Sequence, residues 1–303
     1  MTATGQKKVN LFIIGAPKAG TTSLYYYLKQ HPAIQMPELK EPHYFSTDFP
    51  HFSSINRLDE YHSLFEWNAD ARYYGDASVW YMYSEVAIDN ILSYNPQAKF
   101  ILMVRDPREL LPSLHNQLKL TLMEDIDDFE DAWNAIPDRK EGKRIPKTCR
   151  EPKFLFYDEV VKFGDQIERL FRKVNTSNVQ VITFDRFKES SREIVEETFT
   201  FLGLSASVSD IDFSVQNERS QIRSPLLNRI LFEASRQLNP LIKRSKKILG
   251  VRRFGLLDPI RDRNKKKAEK TSISPLLENT IYKATKADQE KLTRLLNQLR
   301  TEV

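Results

Sequence analysis

A short apolar run that ends in a glycine-containing loop is the feature that most restricts the fold of this chain. Residues 9–14 form a dense apolar stretch, and residues 15–23 follow with the sequence GAPKAGTTS. The pattern predicts a buried parallel strand, a loop, and a helix that begins at Thr21 or Thr22 and ends before Pro32. This order of elements surrounds an anion with backbone N–H groups and a helix N-terminus. The sequence therefore predicts a phosphate-binding loop.

Two further apolar runs, residues 100–104 and 179–184, repeat the buried-strand pattern. Helical patterns lie at residues 84–93, 157–173, 191–202, 226–238 and 275–299. Strands that alternate with helices indicate a central, mostly parallel sheet with helices on both faces. We therefore predict an α/β, three-layer, P-loop-like fold, with residues 1–303 as a single domain and residues 275–299 as a C-terminal helical extension. In such a sheet, ligands bind beyond the carboxyl ends of the strands.

The loop has the glycine spacing of a nucleoside-triphosphate site but lacks its lysine. Gly15 and Gly20 are correctly spaced, whereas Thr21 occupies the lysine position and Lys18 lies inside the loop. A lysine there is suited to neutralising charge on a bridging oxygen as a group leaves a 5′-phosphate. The pattern thus disfavours a small-molecule kinase, which stays an alternative together with a non-catalytic nucleotide-binding scaffold. No cluster of histidine and cysteine suggests a metal site, so no metal is expected.

A second anion site is predicted after the 100–104 run. Arg105 follows this run directly, and Ser113 comes eight residues later. An arginine at the carboxyl end of a strand, with a hydroxyl from the next helix, forms a compact oxyanion site. The alternative is a salt bridge between Arg105 and Asp106 or another local carboxylate. Pro112 has no N–H, so the helix is expected to begin late or to kink before Ser113.

These motifs resemble those of a known family. Residues 12–24, FIIGAPKAGTTSL, are similar to the 5′-phosphosulfate loop of the sulfotransferases that use 3′-phosphoadenosine 5′-phosphosulfate (PAPS), most like the bacterial and heparan-sulfate-type branch. The resemblance implies transfer of a sulfuryl group to a hydroxyl or amine of a carbohydrate-like or other small acceptor, which releases PAP. It implies that Lys18 is catalytic and that Arg105 and Ser113 hold the 3′-phosphate. The residues implied at the 5′-phosphate are Lys18, Ala19, Gly20, Thr21, Thr22 and Ser23.

The acceptor side is carried by residues 40–45, KEPHYF. They resemble a K-E-x-H-[FY]-F stretch of the carbohydrate branch, in which the glutamate takes the proton of the acceptor. By this match Glu41 is the candidate base, as a partly buried carboxylate with a raised pKa, and His43 is its catalytic neighbour. A histidine base, with Glu41 merely solvated, stays the alternative.

Three more residues are assigned to the acceptor cleft: Asp76, Ser78 and Tyr81. The family commonly has G-E-x-S-P in this place, so Asp76 and Val79 depart from its pattern.

The C-terminal third is rich in basic residues. Arg219 and Arg223 lie where related enzymes return a loop over the nucleotide, and they are predicted to contact the 3′-phosphate; solvent-exposed arginines are the alternative. Residues 240–270 are interpreted as a mobile, solvated segment. A lid over an anionic acceptor or a weak membrane-surface contact is the alternative for this segment.

Composition limits the class of protein. The net charge of +5 fits an anionic ligand but is too small to indicate a nucleic-acid partner. Cys149 is the single cysteine, so no intramolecular disulfide forms and a reducing cytoplasm is the expected compartment. The apolar run at residues 11–14 is too short to span a membrane. The partner expected is a small-molecule, carbohydrate or lipid acceptor.

Overall fold

The computed structural model describes residues 7–53, 55–68, 70–205, 207–214, 220–222, 265–267 and 273–301 of the chain. Arg219, Arg223, the predicted helix at residues 226–238 and most of the basic 240–270 segment lie outside these ranges.

Five parallel strands form the central sheet, in the order β2–β3–β1–β4–β5. Their bounds are β1 (Leu11–Gly15), β2 (Ile34–Gln35), β3 (Tyr73–Ala77), β4 (Lys99–Val104) and β5 (Val179–Thr183). Leu11 of β1 pairs with Gly75 of β3 on one side and with Lys99 of β4 on the other. Every residue of β1 is buried, which explains why this strand is a continuous apolar run without alternation.

Helices follow or separate these strands. They are α1 (Thr21–Leu28), α2 (Leu58–His62), α3 (Ala87–Tyr94), α4 (Pro107–Leu120), α5 (Phe129–Asn134), α6 (Ile136–Lys140), α7 (Tyr157–Val160), α8 (Phe163–Phe171), α9 (Phe184–Glu189), α10 (Ser191–Phe201) and α11 (Pro275–Thr301). Two short segments, β6 (Ser220–Ile222) and β7 (Lys265–Lys267), pair antiparallel, and β6 lies near α4. None of the helices in the described ranges is long and apolar enough to cross a membrane.

The direction of the crossovers places helices on both faces of the sheet. The chain moves from β1 toward β2 at one edge, whereas the connections β3 to β4 and β4 to β5 run the opposite way. Because parallel crossovers are right-handed, the two directions put their helices on opposite faces. In agreement, α1 packs against α10, and α11 packs against α8, α4 and α7. The predicted three-layer α/β fold is confirmed.

Helix α11 is held on the domain by a carboxylate that caps another helix. Both carboxylate oxygens of Asp288 accept main-chain hydrogen bonds in the first turn of α8, from Gly164 at 2.9 Å and Asp165 at 2.8 Å. The helices approach so closely that a Cβ on Gly164 would lie 2.5 Å from the Asp288 carbonyl oxygen. The predicted C-terminal helix is therefore a packed part of the fold.

The sheet reverses its winding direction at β1. The chain leaves β1 for β2 and β3 on one side, and β4 lies on its other side. Such a switch point opens a crevice beyond the carboxyl ends of the two adjacent strands. The loops that follow β1 and β4 meet there, and these are the two loops that carry the predicted phosphate sites.

Several local predictions differ from the structure. Strand β3 was not predicted from the sequence, because Gly75 and Asp76 are typical of turns, yet both are buried within it. The 157–173 pattern forms two helices, α7 and α8, instead of one. Helix α4 does not begin late: it begins at Pro107 and contains Pro112, and Asp106 caps its N-terminus by accepting from the Arg108 N–H at 2.8 Å. The kink before Ser113 stays a prediction.

Candidate active site

The phosphate loop presents a helix N-terminus to a cleft of about 910 Å³. Helix α1 begins at Thr21, and its N-cap residue is Gly20, which has no side chain that could cap the first N–H groups. The first N–H groups of a helix have no partner within the helix, and its dipole favours an anion at this end. The side chains of Thr21, Thr22 and Ser23 line the cleft at the same place. The loop thus offers both main-chain and hydroxyl donors to an anion.

Glycine is required at position 20. Its φ angle is 94°, in the region that disfavours side chains, and a Cβ would lie 3.2 Å from both Met103 Cε and Phe184 Cδ2. Ala19 is fully buried in the core, and its N–H donates to the Ala16 carbonyl at 3.3 Å. Ala19 therefore supports the loop, and the predicted contact of this residue with phosphate stays a prediction.

Lys18 lies in the loop in a left-handed conformation with φ of 60°. Such a backbone costs a lysine on the order of 1–2 kcal/mol, and strain of this kind is often found at functional positions. Its ammonium donates to Gln117 Oε1 over a long distance of 3.4 Å. This distance is at the long end for a hydrogen bond, so the contact with Gln117 is weak.

Arg105 joins the two predicted phosphate motifs. Its guanidinium donates to the main-chain carbonyl of Lys18 at 3.0 Å and pairs with Glu109 at 2.9 Å. The side chain is only 4% exposed and lies 4.2 Å from the centre of the Phe184 ring. The local carboxylate partner that the sequence left open is thus Glu109, since Asp106 pairs with Arg108. Arg105 nevertheless lines the cleft, as does Ser113 of α4.

Glu41 lines the same cleft and is held between two donors. One carboxylate oxygen accepts from Lys40 Nζ at 2.8 Å, and the other lies 2.8 Å from His43 Nε2. Burial alone would raise the pKa of Glu41, but Lys40 and His43 outweigh it and lower the pKa to about 2. The raised pKa expected from the sequence is therefore wrong, because that expectation omitted both neighbours.

His43 is more enclosed than Glu41. Its side chain is 5% exposed against 24% for Glu41, and its Nδ1 atom is buried with no hydrogen-bond partner among the described residues. The only other ring nitrogen, Nε2, faces Glu41. The carboxylate of Glu41 is thus more accessible than either ring nitrogen of His43.

The buried carboxylate of Asp76 stabilises the backbone at His43 through the hydroxyl of Ser78. Asp76 accepts hydrogen bonds from Ser78 at 2.7 Å and from the hydroxyls of Tyr61 and Tyr81, both at 2.9 Å. The Ser78 hydroxyl in turn accepts from the His43 main-chain N–H at 3.0 Å. Burial raises the pKa of Asp76, while these three hydroxyl donors lower it and limit the rise.

The structure places Asp76, Ser78 and Tyr81 beneath the acceptor side and not on its surface. All three are fully buried, and none is among the described residues that line the cleft. Their assignment to direct acceptor contacts is corrected accordingly: they fix the backbone of residues 43–45, since Tyr81 also accepts from the Phe45 N–H at 3.3 Å.

Sequence reasoning missed several residues of the cleft. Gln117 was detectable, because it lies four residues after Ser113 on the same face of α4. Others come from distant segments whose proximity no local pattern indicates: Phe52, Trp80, Arg150, Phe154, Phe187 and Lys188. No group of three or more histidine, cysteine, aspartate or glutamate side chains that could hold a metal ion occurs in the described ranges.

Comparison with known proteins decides the family. A family model described as "Sulfotransferase domain" matches residues 8–247. The chain belongs to the sulfotransferase family. The crystal structure of a sulfotransferase from Alicyclobacillus acidocaldarius has a TM-score of 0.61 at 24% identity, over 84% of this chain and 100% of that one, and supports the fold.

Curated members of the family match over shorter parts. The membrane-associated sulfotransferase kil1 of Dictyostelium discoideum is 32% identical over 33% of this chain and 21% of its own length. The mouse bifunctional heparan sulfate N-deacetylase/N-sulfotransferase 4 is 26% identical over 63% of this chain and 22% of its own length. The chain therefore spans less than a quarter of the length of either relative.

The substitution Ser78→Ala tests the support beneath His43. It leaves the buried N–H of His43 without its acceptor, so we expect the free energy of unfolding to fall by about 1–3 kcal/mol. Urea denaturation measures this change. Ser63→Ala, which alters an exposed serine, should stay within about 0.5 kcal/mol. An equally small effect of Ser78→Ala would contradict the proposed support.

Proposed function

We propose that the chain transfers a sulfuryl group from PAPS to a hydroxyl or amine of a small acceptor and releases PAP. The observation that carries this proposal is the hydrogen bond between Arg105 and the Lys18 carbonyl, which joins two anion sites in one cleft. A donor with a phosphate on each side of its ribose needs two such sites. Membership of the sulfotransferase family supports the same donor.

The loop after β1 is assigned to the 5′-phosphate. The first-turn N–H groups of α1 and the hydroxyls of Thr21, Thr22 and Ser23 supply its hydrogen bonds. Arg105 and Ser113 are assigned to the 3′-phosphate, as the family resemblance implies. The ion pair with Glu109 holds the Arg105 guanidinium in position in the cleft.

The reaction we propose is an in-line displacement at sulfur. The acceptor oxygen or nitrogen forms a bond to sulfur while the bond between sulfur and the 5′-phosphate oxygen breaks. The electron pair of the broken bond stays on the phosphate oxygen, where the Lys18 ammonium stabilises the developing charge. The proton of the acceptor goes to the carboxylate of Glu41.

A carboxylate of low pKa can act as this base. When the acceptor oxygen bonds to sulfur it loses electron density, and its proton becomes strongly acidic. Lys40 and His43 hold Glu41 in the ionised form that accepts this proton. His43 is assigned the orientation of Glu41, since its own nitrogens are enclosed.

The two alternatives predicted from the sequence have less support. A small-molecule kinase needs a lysine where Thr21 stands. A non-catalytic scaffold does not need a charged pair such as Lys40 and Glu41 in its cleft. Carbohydrate-like acceptors are the class that the family resemblance implies, and the cytoplasm stays the compartment that the single cysteine predicts.

Nucleotide affinity tests the donor assignment. PAP should bind with a Kd near or below about 1 µM, and ATP with magnesium much more weakly, as measured by calorimetry. Arg105→Ala removes a charge-assisted contact and should weaken PAP binding roughly 10- to 100-fold. Arg108→Ala, at a half-exposed position paired with Asp106, is the matched control and should change it less than about twofold. Equal binding of PAP and ATP would favour the kinase instead.

The pH dependence of turnover tests the base. Glu41→Gln should retain PAP affinity but lose about 10²–10⁴ in kcat. In the unaltered protein Glu41 is ionised above its pKa of about 2, and activity is lost only as the pH falls through that value. We therefore expect no limb from Glu41 between about pH 5 and 8.

Lys40→Met provides the sharper form of this experiment. Removing the cation lets the pKa of Glu41 rise, so the acidic limb should move to higher pH. Lys29→Met, which removes a cation from an ion pair outside the cleft, should leave the limb in place. If Glu41→Gln kept full turnover while His43→Ala abolished it, His43 would be the base.

A further inference from the structure

Three aromatic rings, those of Phe52, Trp80 and Phe154, lie in the wall of the cleft near Glu41. The rings of Trp80 and Phe154 stack with centroids 3.7 Å apart at 5°, and Phe52 meets Phe154 edge-on at 4.8 Å. Phe52 also contacts the His43 ring at 4.8 Å, so this wall is continuous with the Glu41–His43 pair. Trp80 and Phe154 are almost fully buried, so an acceptor whose hydroxyl reaches Glu41 rests its body against the partly exposed ring of Phe52.

Polar groups on this side already have partners. Lys40 and Glu41 pair with each other. The Thr121 hydroxyl donates to main-chain carbonyls of α4. A sugar ring brings several hydroxyls that need new partners once they are buried, and the described lining offers few. The lining favours a body with little hydrogen-bonding surface.

Arg150 is the exception on this wall. Its guanidinium carbon lies 5.3 Å from the centre of the Phe52 ring, and this exposed residue lines the cleft. In the described part of the chain, no carboxylate oxygen lies within 4.0 Å of a guanidinium nitrogen of Arg150. Arg105 and Lys40, by contrast, each form an ion pair with a glutamate. A guanidinium fixed over a ring, with its N–H groups available, binds a carboxylate or another oxyanion.

Resting on the function proposed above, we propose that the acceptor is a hydroxyl compound with an apolar, preferably aromatic, body and an anionic group that Arg150 binds. The body lies against the ring of Phe52, the hydroxyl faces Glu41, and the anion reaches Arg150. Arg150 thus selects the acceptor, while Lys18 and Arg105 serve the donor.

Matched small probes test this assignment by binding, without a need for turnover. para-Hydroxyphenylacetate and its methyl ester share an aromatic body and differ in the anion, and methyl glucoside represents a polar sugar. Ligand-observed NMR titration against the protein, with and without saturating PAP, gives their affinities. We expect the acid to bind about tenfold more tightly than the ester, and the glucoside more weakly than either.

Variants assign the effect to one side chain. Arg150→Ala should abolish the preference for the acid and leave PAP affinity unchanged. Lys153→Ala removes a nearby exposed cation that lies over Phe49 outside the cleft, and it should keep the preference. Arg150→Lys should keep part of it.

Several results would overturn the inference: equal binding of acid and ester, a preference that survives in Arg150→Ala, failure of both aromatic probes to bind, or tighter binding of the glucoside. Absence of PAP binding would instead overturn the donor assignment, and the titrations without PAP would still decide the role of Arg150.

Discussion

The hydrogen bond from the Arg105 guanidinium to the main-chain carbonyl of Lys18 connects the two loops on which the site depends. Strands β1 and β4 are neighbours, so their carboxyl ends deliver these loops to one edge of the sheet. The bond holds the loop while Lys18 adopts its left-handed backbone, which a lysine does not favour on its own. Arg105 can do so because burial, Glu109 and Phe184 keep it in place. The proposed donor side is therefore held together by contacts within the protein itself.

On the proposed acceptor side, too, buried hydrogen bonds hold a residue with an unfavourable backbone conformation. His43 also has a positive φ, of 53°, and its N–H is fixed by Ser78, which Asp76 holds in turn. A buried carboxylate is costly unless several donors satisfy it, and three hydroxyls do so here. Lys18 and His43, two of the three candidate catalytic residues, thus have strained backbones that buried hydrogen bonds maintain. In a packed interior such strain persists only when the surroundings determine it.

The sequence predicted what depends on local order along the chain. The apolar run of β1, the loop to α1 and Arg105 after β4 are contiguous motifs, and topology alone brings the two loops together.

Strand β3 was missed because Gly75 and Asp76 look like a turn until the tyrosine hydroxyls that donate to Asp76 are known. The pKa of Glu41 was predicted in the wrong direction for the same reason: its sign depends on how Lys40 and His43 orient in space. The aromatic wall of Phe52, Trp80 and Phe154 could not be predicted, since these residues come from separate segments. That the 303 residues form one domain stays a prediction.

A crystal structure of the protein with PAP tests the account most directly. We predict that the 5′-phosphate accepts hydrogen bonds from the first-turn N–H groups of α1 at about 2.7–3.2 Å, and that Lys18 turns from Gln117 to this phosphate. The 3′-phosphate should lie against Arg105 and Ser113. A nucleotide whose phosphates lie away from the loop, with Lys18 still bonded to Gln117, would contradict it.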